Sequence, residues 1–172
     1  VLRQKGYRVR TLARATSARA NLDPLDEAFT GDILDSKSLD AALEDVDHIV
    51  HAAADYRLWA PDPAEVLRAN VEGTRLVMEA ARKAGLSRIV HVSSTATIQP
   101  LDGGSSDETM PAAVIPEMGC YKRSKILSER FVEQMAARDG LPVVIVNPST
   151  PIGPRDIKPT PTGRIIVEAA SG

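Results

Sequence analysis

Cysteine is nearly absent from this chain, with Cys120 the single one among 172 residues. One cysteine excludes an intrachain disulfide and fits a reducing compartment; without a partner, Cys120 reads as a packing residue. Aromatic side chains are scarce, with one Trp, yet a 43% hydrophobic content is ample for the core of one domain's worth of chain. Neither sign of charge dominates: the net charge is −2, and no basic cluster suggests nucleic acid. No apolar run approaches the ~20 residues of a membrane span, and no secretory pattern is visible. The expectation is a cytoplasmic protein without a membrane span. His48, His51 and His91 sit on predicted strands at no metal-ligand spacing and read as packing histidines, so no metal is expected. There is no internal repeat and no low-complexity tract.

What is present is concentrated around Tyr121 and Lys125, in the run Tyr121-Lys122-Arg123-Ser124-Lys125. The apolar spacing that follows (Ile126, Leu127, Phe131, Val132, Met135) predicts an amphipathic helix. Residues i and i+4 share one helix face, so the phenol and the ammonium are expected side by side. A fixed positive charge favours a phenolate, and a phenol so placed can pass a proton to or from an alcohol oxygen. The alternative is an unremarkable helix-surface pair.

The segments around this pair read as parallel strands that deliver small polar residues to one edge. Arg88-Ile89-Val90-His91-Val92 predicts a buried strand running into Ser93, Ser94 and Thr95. Asp47 to His51 predicts another, ending in Ala52, Ala53 and Ala54, whose methyl side chains let a flat ligand approach the backbone. Val143 to Val146 predicts a third, ending in Asn147-Pro148-Ser149-Thr150-Pro151, a rigid turn that would wall one side of a crevice. In open α/β sheets the ligand crevice lies beyond the carboxyl ends of the strands. Alternation over Arg8 to Arg14 predicts a further strand, and Ala28 to Gly31 a short one leading to Asp32 and Ile33. Helices are expected over 36–45 and 64–84, with Asn70 inside the second. The Gly-, Ser- and Pro-rich loop over 100–120 has a length suited to a lid, and its Asp107-Glu108-Thr109 could meet substrate hydroxyls or only solvent.

In their order, Gly31-Asp32-Ile33-Leu34-Asp35, His51-Ala52-Ala53-Ala54, Asn70-Val71-Glu72-Gly73-Thr74, Val92-Ser93-Ser94, Tyr121-x-x-x-Lys125 and Asn147-Pro148 resemble the extended short-chain dehydrogenase/reductase family of NAD-dependent epimerases and dehydratases. The runs from Ala53 to Pro63 and from Asn147 to Arg164 are most similar to the subgroup called hopanoid-associated sugar epimerases. The resemblance implies a Rossmann-like, doubly wound, mostly parallel α/β sheet with helices on both faces. It implies an NAD(P)-dependent enzyme acting on a hydroxyl-bearing carbon of a sugar or sugar nucleotide, or an NADPH-dependent dihydroflavonol-type ketone reductase. A non-catalytic dinucleotide sensor on the same fold is the alternative of another class.

Carried over residue by residue, the resemblance makes Tyr121 the acid–base group, Lys125 its electrostatic support and a holder of the nicotinamide ribose, and Thr95 the hydroxyl that meets the reacting oxygen. Gln99-Pro100 departs from the family's usual Tyr-Gly, which keeps Ser94 open as the catalytic hydroxyl. Cofactor contacts are expected from Asp32 and Ile33 at the adenine, from Ala52, Ala53, Ala54, Ser93, Ser94 and Pro148, and from Asn70 as a brace for the catalytic loop. Arg14, followed by Thr16 and Ser17, stands where an acidic residue would hold the ribose 2′-hydroxyl of NAD, which tilts the expected cofactor toward NADP over NAD. The expected partner is a small-molecule substrate, and a homodimer is compatible with the resemblance. Val1 to Tyr7 reads as the last turn of a helix, a glycine stop and a strand. The expectation is therefore a fragment that lacks the first strand, which would lie at the sheet centre, and its glycine-rich turn. Residues 1–150 would be a partial dinucleotide-binding domain and 151–172 the start of a substrate-binding region.

Overall fold

A computed structural model describes residues 1–154, 156 and 160–172. Of the run from Asn147 to Arg164, Arg155 and residues 157–159 lie outside the described residues. The chain divides into two compact units: Asp32–Pro148, and Val1–Gly31 with Ser149–Gly172.

The smaller unit holds β1 (Arg10–Ala13) and β2 (Glu27–Thr30), which pair in parallel with Arg10 opposite Glu27 and Ala13 opposite Thr30. A turn of 3₁₀ helix (Arg3–Lys5) precedes β1 and stops at Gly6, as the opening residues predict.

The larger unit is built on β3 (His48–His51), β4 (Arg88–Val92) and β5 (Val143–Val146), in the order β3-β4-β5 and parallel throughout. Parallel neighbours need a crossover. Helices supply it: α1 (Ser36–Ala42) precedes β3, α2 (Pro63–Leu67) and α3 (Gly73–Lys83) link β3 to β4, and α4 (Cys120–Asp139) links β4 to β5. The helix starts are written locally. Asp35 and Asp62 accept hydrogen bonds from the amides of Lys37 and Ala64, and Pro63 occupies the first position of α2. Gly140 stops α4 in the left-handed conformation at φ 65°. A last helix, α5 (Pro161–Ser171), closes the chain in the smaller unit.

The core between the three-stranded sheet and its helices is aliphatic: Leu39, Val66, Val77, Met78, Ile89 and Ile126 are buried, with Val132 and Met135 beside them. Two sequence expectations change in detail. The helix expected over 64–84 is interrupted by a π turn over Arg68–Glu72. The 100–120 segment folds back on itself through an isolated bridge between Ile98 and Pro111, with Gln99 N donating to Met110 O and Ala112 N to Thr97 O, both at 2.7 Å.

Candidate functional site

Tyr121 lies in the first turn of α4, half-buried, and Lys125 follows one turn later on the same face. The side chain of Lys125 is only 4% exposed, and its Nζ donates to Val92 O, at the end of β4, at 3.0 Å. Burial pushes its pKa down to about 8, against the opposing pull of the Glu129 carboxylate. The ammonium is therefore charged at neutral pH, at the end of a parallel strand, where the fold places ligands.

The Tyr121 face of α4 is held by a polar seam that sequence reasoning missed, apart from Asn70. Asn70, 2% exposed, sits in the π turn. Its Nδ2 donates to Asp55 O and to Ser124 Oγ, both at 2.8 Å, while its Oδ1 accepts from Asp55 N at 2.6 Å. Ser124 Oγ donates to Tyr121 O at 2.7 Å, and Ser128 Oγ lies 2.9 Å from Asn70 O and 2.7 Å from Ser124 O. Asn70 thus joins the loop after β3 to the helix that carries Tyr121. The signal for Ser124 and Ser128 was available: they stand three and seven residues beyond Tyr121, where an otherwise apolar face is expected.

Asn70→Ala leaves the amide and carbonyl of Asp55 and the hydroxyl of Ser124 without this partner. The expected loss of stability is about 3 kcal/mol, measured by denaturant unfolding. A loss below about 0.5 kcal/mol, the range of an ordinary surface substitution, would show that Asn70 braces nothing.

The residues after β4 divide by role. Ser93 is buried, and its Oγ has no partner among the described residues. Ser94 caps the short 3₁₀ turn Thr95–Thr97, its Oγ accepting from Ala96 N at 3.1 Å. Thr95 is exposed, with its backbone N donating to Pro148 O. A second cluster absent from the sequence reading fixes this turn. Asn147 Nδ2 lies 2.8 Å from Glu129 Oε2, 2.9 Å from Thr97 Oγ1 and 3.2 Å from Ser94 O. Glu129 also lies 3.0 Å from Thr97 Oγ1. The turn carrying Ser94 and Thr95 is thereby tied to α4 and to the end of β5.

Beneath the strand ends, His51 stands opposite His91 in the β3–β4 ladder, their rings 5.4 Å apart. His51 Nε2 lies 3.0 Å from Thr74 Oγ1, whereas neither ring nitrogen of His91 has a partner among the described residues. Burial, with the Lys125 charge nearby, pushes His51 down to about 4. Burial, His51 and Lys125 push His91 down to about 3. Both rings are neutral at neutral pH and serve as packing groups. No cluster of His, Cys, Asp and Glu suited to a metal occurs among the described residues.

The remaining predicted residues lie on the same unit, with one exception. Ala52 and Ala53 are exposed and Ala54 half-buried after β3. Asp32 Oδ1 accepts from Leu34 N at 2.9 Å, and Asp32 N donates to Ser38 Oγ. Ile33 packs directly on Gly73: a Cβ at Gly73 would stand 2.6 Å from Ile33 Cδ1, closer than packed carbons approach. Asn70, Gly73 and Thr74 therefore each have a distinct contact, with Asp55 and Ser124, Ile33, and His51 respectively. Pro148 is half-buried and receives the Thr95 amide. Arg14 belongs to the smaller unit, exposed just past β1. In that unit Arg19 donates to Thr30 Oγ1 at the end of β2, at 2.8 Å.

Residues 1–170 match the model of the NAD dependent epimerase/dehydratase family. The chain is 43% identical over 167 residues to a Synechocystis sp. protein assigned the name dihydroflavonol 4-reductase, covering 96% of this chain and 48% of that protein. It is 38% identical over 169 residues to sterol demethylase protein B of Methylococcus capsulatus, covering 98% of this chain and 51% of the other. The crystal structure of a dTDP-glucose 4,6-dehydratase from Streptomyces venezuelae with NAD bound matches with a TM-score of 0.82 and 28% identity, over 96% of this chain and 53% of that one. The chain spans about half the length of the curated relatives it matches.

Proposed function

Because the chain belongs to the NAD dependent epimerase/dehydratase family, we propose that the full-length protein oxidises or reduces a hydroxyl-bearing carbon with NAD or NADP as its hydride partner. The observation that carries this reading is the buried ammonium of Lys125, one helical turn from Tyr121 and hydrogen-bonded to the end of β4. A buried charge is costly to keep, and a non-catalytic dinucleotide sensor gives no reason to keep one beside a phenol. The donor set fits a dinucleotide. The exposed methyl side chains of Ala52 and Ala53 leave the backbone approachable. Asp32 Oδ2 has no partner among the described residues and is free to accept from an amine. Ile33, pressed on Gly73, offers an apolar wall.

The nicotinamide, when bound, supplies the hydride chemistry. The chain does the rest. Tyr121 gives or takes the proton of the reacting oxygen. Lys125 brings a buried positive charge to the same helix face one turn on and would hold the nicotinamide ribose. Thr95 is the better choice for hydrogen-bonding the reacting oxygen, because Ser94 already serves as a cap while Thr95 is exposed. Ser93 and Pro148 line the edge, and Asn70 acts through the Asp55 loop and Ser124 as a positioning residue.

An epimerase acting on a sugar or sugar nucleotide and a ketone reductase share this apparatus. Arg14 favours the reductase: an exposed guanidinium just past β1 suits the 2′-phosphate of NADP, the form that exchanges at each turnover. Arg19, fixed on Thr30, adds a second cation at the end of β2. Following the absorbance of reduced nicotinamide as the full-length protein meets hydroxyl and carbonyl substrates tests the reading. Consumption of added NADPH identifies a reductase, turnover without net cofactor change an epimerase, and no substrate-dependent hydride transfer overturns both. NADP is expected to bind more tightly than NAD, and Arg14→Asp to narrow or reverse the ratio. A ratio unchanged by the substitution would leave Arg14 a solvated charge.

A further inference from the structure

We propose that Glu129 is a positioning residue of the reaction, a single carboxylate that serves Lys125 as countercharge and fixes the turn carrying Ser94 and Thr95. The inference rests on the reading of Tyr121 and Lys125 as the reacting pair and deepens it. Tyr121, Lys125 and Glu129 stand at intervals of four in α4 and share one face. Glu129 is half-buried, and its Oε2 is engaged within the protein. Asn147 Nδ2 donates to it at 2.8 Å, and Oγ1 of Thr97, a residue 2% exposed, lies 3.0 Å away. Thr97 Oγ1 in turn lies 2.7 Å from Ser94 O, and Asn147 Nδ2 reaches the same carbonyl at 3.2 Å. The turn with the candidate hydroxyls therefore takes its position from the third residue of the Tyr121–Lys125 face.

These contacts account for an acceptor at position 129 but not for a charge. A glutamine oxygen would accept from Asn147 and Thr97 as well, without the cost of taking a carboxylate out of water. The charge has its use one turn back. Lys125 is buried, and its Nζ is bonded to an uncharged group, Val92 O. A buried cation needs compensation by an opposite charge. From the strands, His51 of β3 and His91 of β4 feel the Lys125 charge, and both rings are neutral at neutral pH, so neither compensates it. Within α4 the Glu129 carboxylate opposes the effect of burial on Lys125. One side chain thus sets the ionisation of the lysine through its charge and the place of the turn through its oxygen, and substitutions can part the two.

The test compares the full-length wild type with Glu129→Gln, which keeps the oxygen and removes the charge, and with Glu129→Ala, which removes both. Carbon-13 at lysine Cε reports the titration of Lys125 by NMR, its resonance being the one missing from Lys125→Met. Hydrogen exchange at the Thr97 and Ile98 amides, which donate to Ser94 O and Thr95 O, reports the turn. In Glu129→Gln the Lys125 midpoint is expected to fall below the wild-type value of about 8 while exchange keeps the wild-type rate. In Glu129→Ala the midpoint should fall too, and the two amides should exchange about tenfold faster or more, the size of one charge-assisted hydrogen bond. An unmoved midpoint in Glu129→Gln overturns the proposal, as does unmoved exchange in Glu129→Ala. Should Glu129→Ala not fold, the midpoint in Glu129→Gln decides alone. Neither readout depends on Tyr121. Near-native turnover of Tyr121→Phe would remove the proton-transfer reading and leave both results standing. A lowered Lys125 midpoint with NADPH affinity unchanged across the titration would count against the ribose contact of Lys125 and not against Glu129.

Discussion

Tyr121→Phe in the full-length protein is expected to lower turnover by on the order of 10² to 10⁴ while cofactor affinity is retained. The substitution removes one oxygen and the proton it carries and leaves the ring. The backbone of residue 121 keeps its link to the seam, because Ser124 donates to the carbonyl of Tyr121 and not to its side chain. Lys125 keeps its bond to Val92 O, so the cation that would hold the nicotinamide ribose stays in place. The loss should therefore fall on the rate and not on binding. Stopped-flow measurement of hydride transfer beside a fluorescence titration of the cofactor separates the two. A Phe variant with near-native turnover would remove Tyr121 from the chemistry, and one that no longer binds cofactor would recast it as a structural residue.

The features that were legible in the sequence are those whose cause is local. The helix expected over 36–45 starts where Asp35 caps the amide of Lys37, two residues ahead. Tyr121 and Lys125 were legible as a pair because helical geometry alone brings i and i+4 together. The parallel strands followed from short β-branched runs separated by helical patterns, and the pairs β1–β2, β3–β4 and β4–β5 are each parallel. What stayed hidden depends on contacts distant in the chain. Within 63–83, Gly73, a poor helix former at the end of the π turn, weakens the helical pattern without marking a π turn. The π turn accompanies a tertiary demand, that Asn70 reach Asp55 and Ser124 while Gly73 lies against Ile33. Single π turns inside helices recur at functional sites. The Thr97–Glu129–Asn147 cluster joins residues separated by 32, 18 and 50 positions and has no local signature. The His51–His91 stack is a consequence of strand register, which the spacing of single residues does not reveal.

Lys125→Met is expected to have two effects that can be read apart. At pH 7 turnover should fall by about 10² or more, the range for loss of a charge that stabilises a developing anion. The second effect is on the pH dependence of stability. In the unfolded chain the lysine holds its proton up to its ordinary value of 10.5, whereas in the folded protein burial lowers the pKa to about 8. Below pH 8 both states carry the proton and the lysine adds no slope. Between about 8 and 10.5 the unfolded state binds more protons, so wild-type stability gains up to about 1.4 kcal/mol per pH unit from this group. Met has no proton to release, so that gain is absent from the variant. The stability of the variant relative to wild type should thus be constant from pH 7 to 8 and decline above it. The lost hydrogen bond to Val92 O sets the offset between the two curves but not their divergence. Other lysines and tyrosines titrate in both proteins and cancel in the difference. Denaturant melts from pH 7 to 10.5 measure it. Parallel curves would mean that the ammonium is solvated in the folded protein, and unchanged turnover at pH 7 would mean that its charge does not serve the reaction.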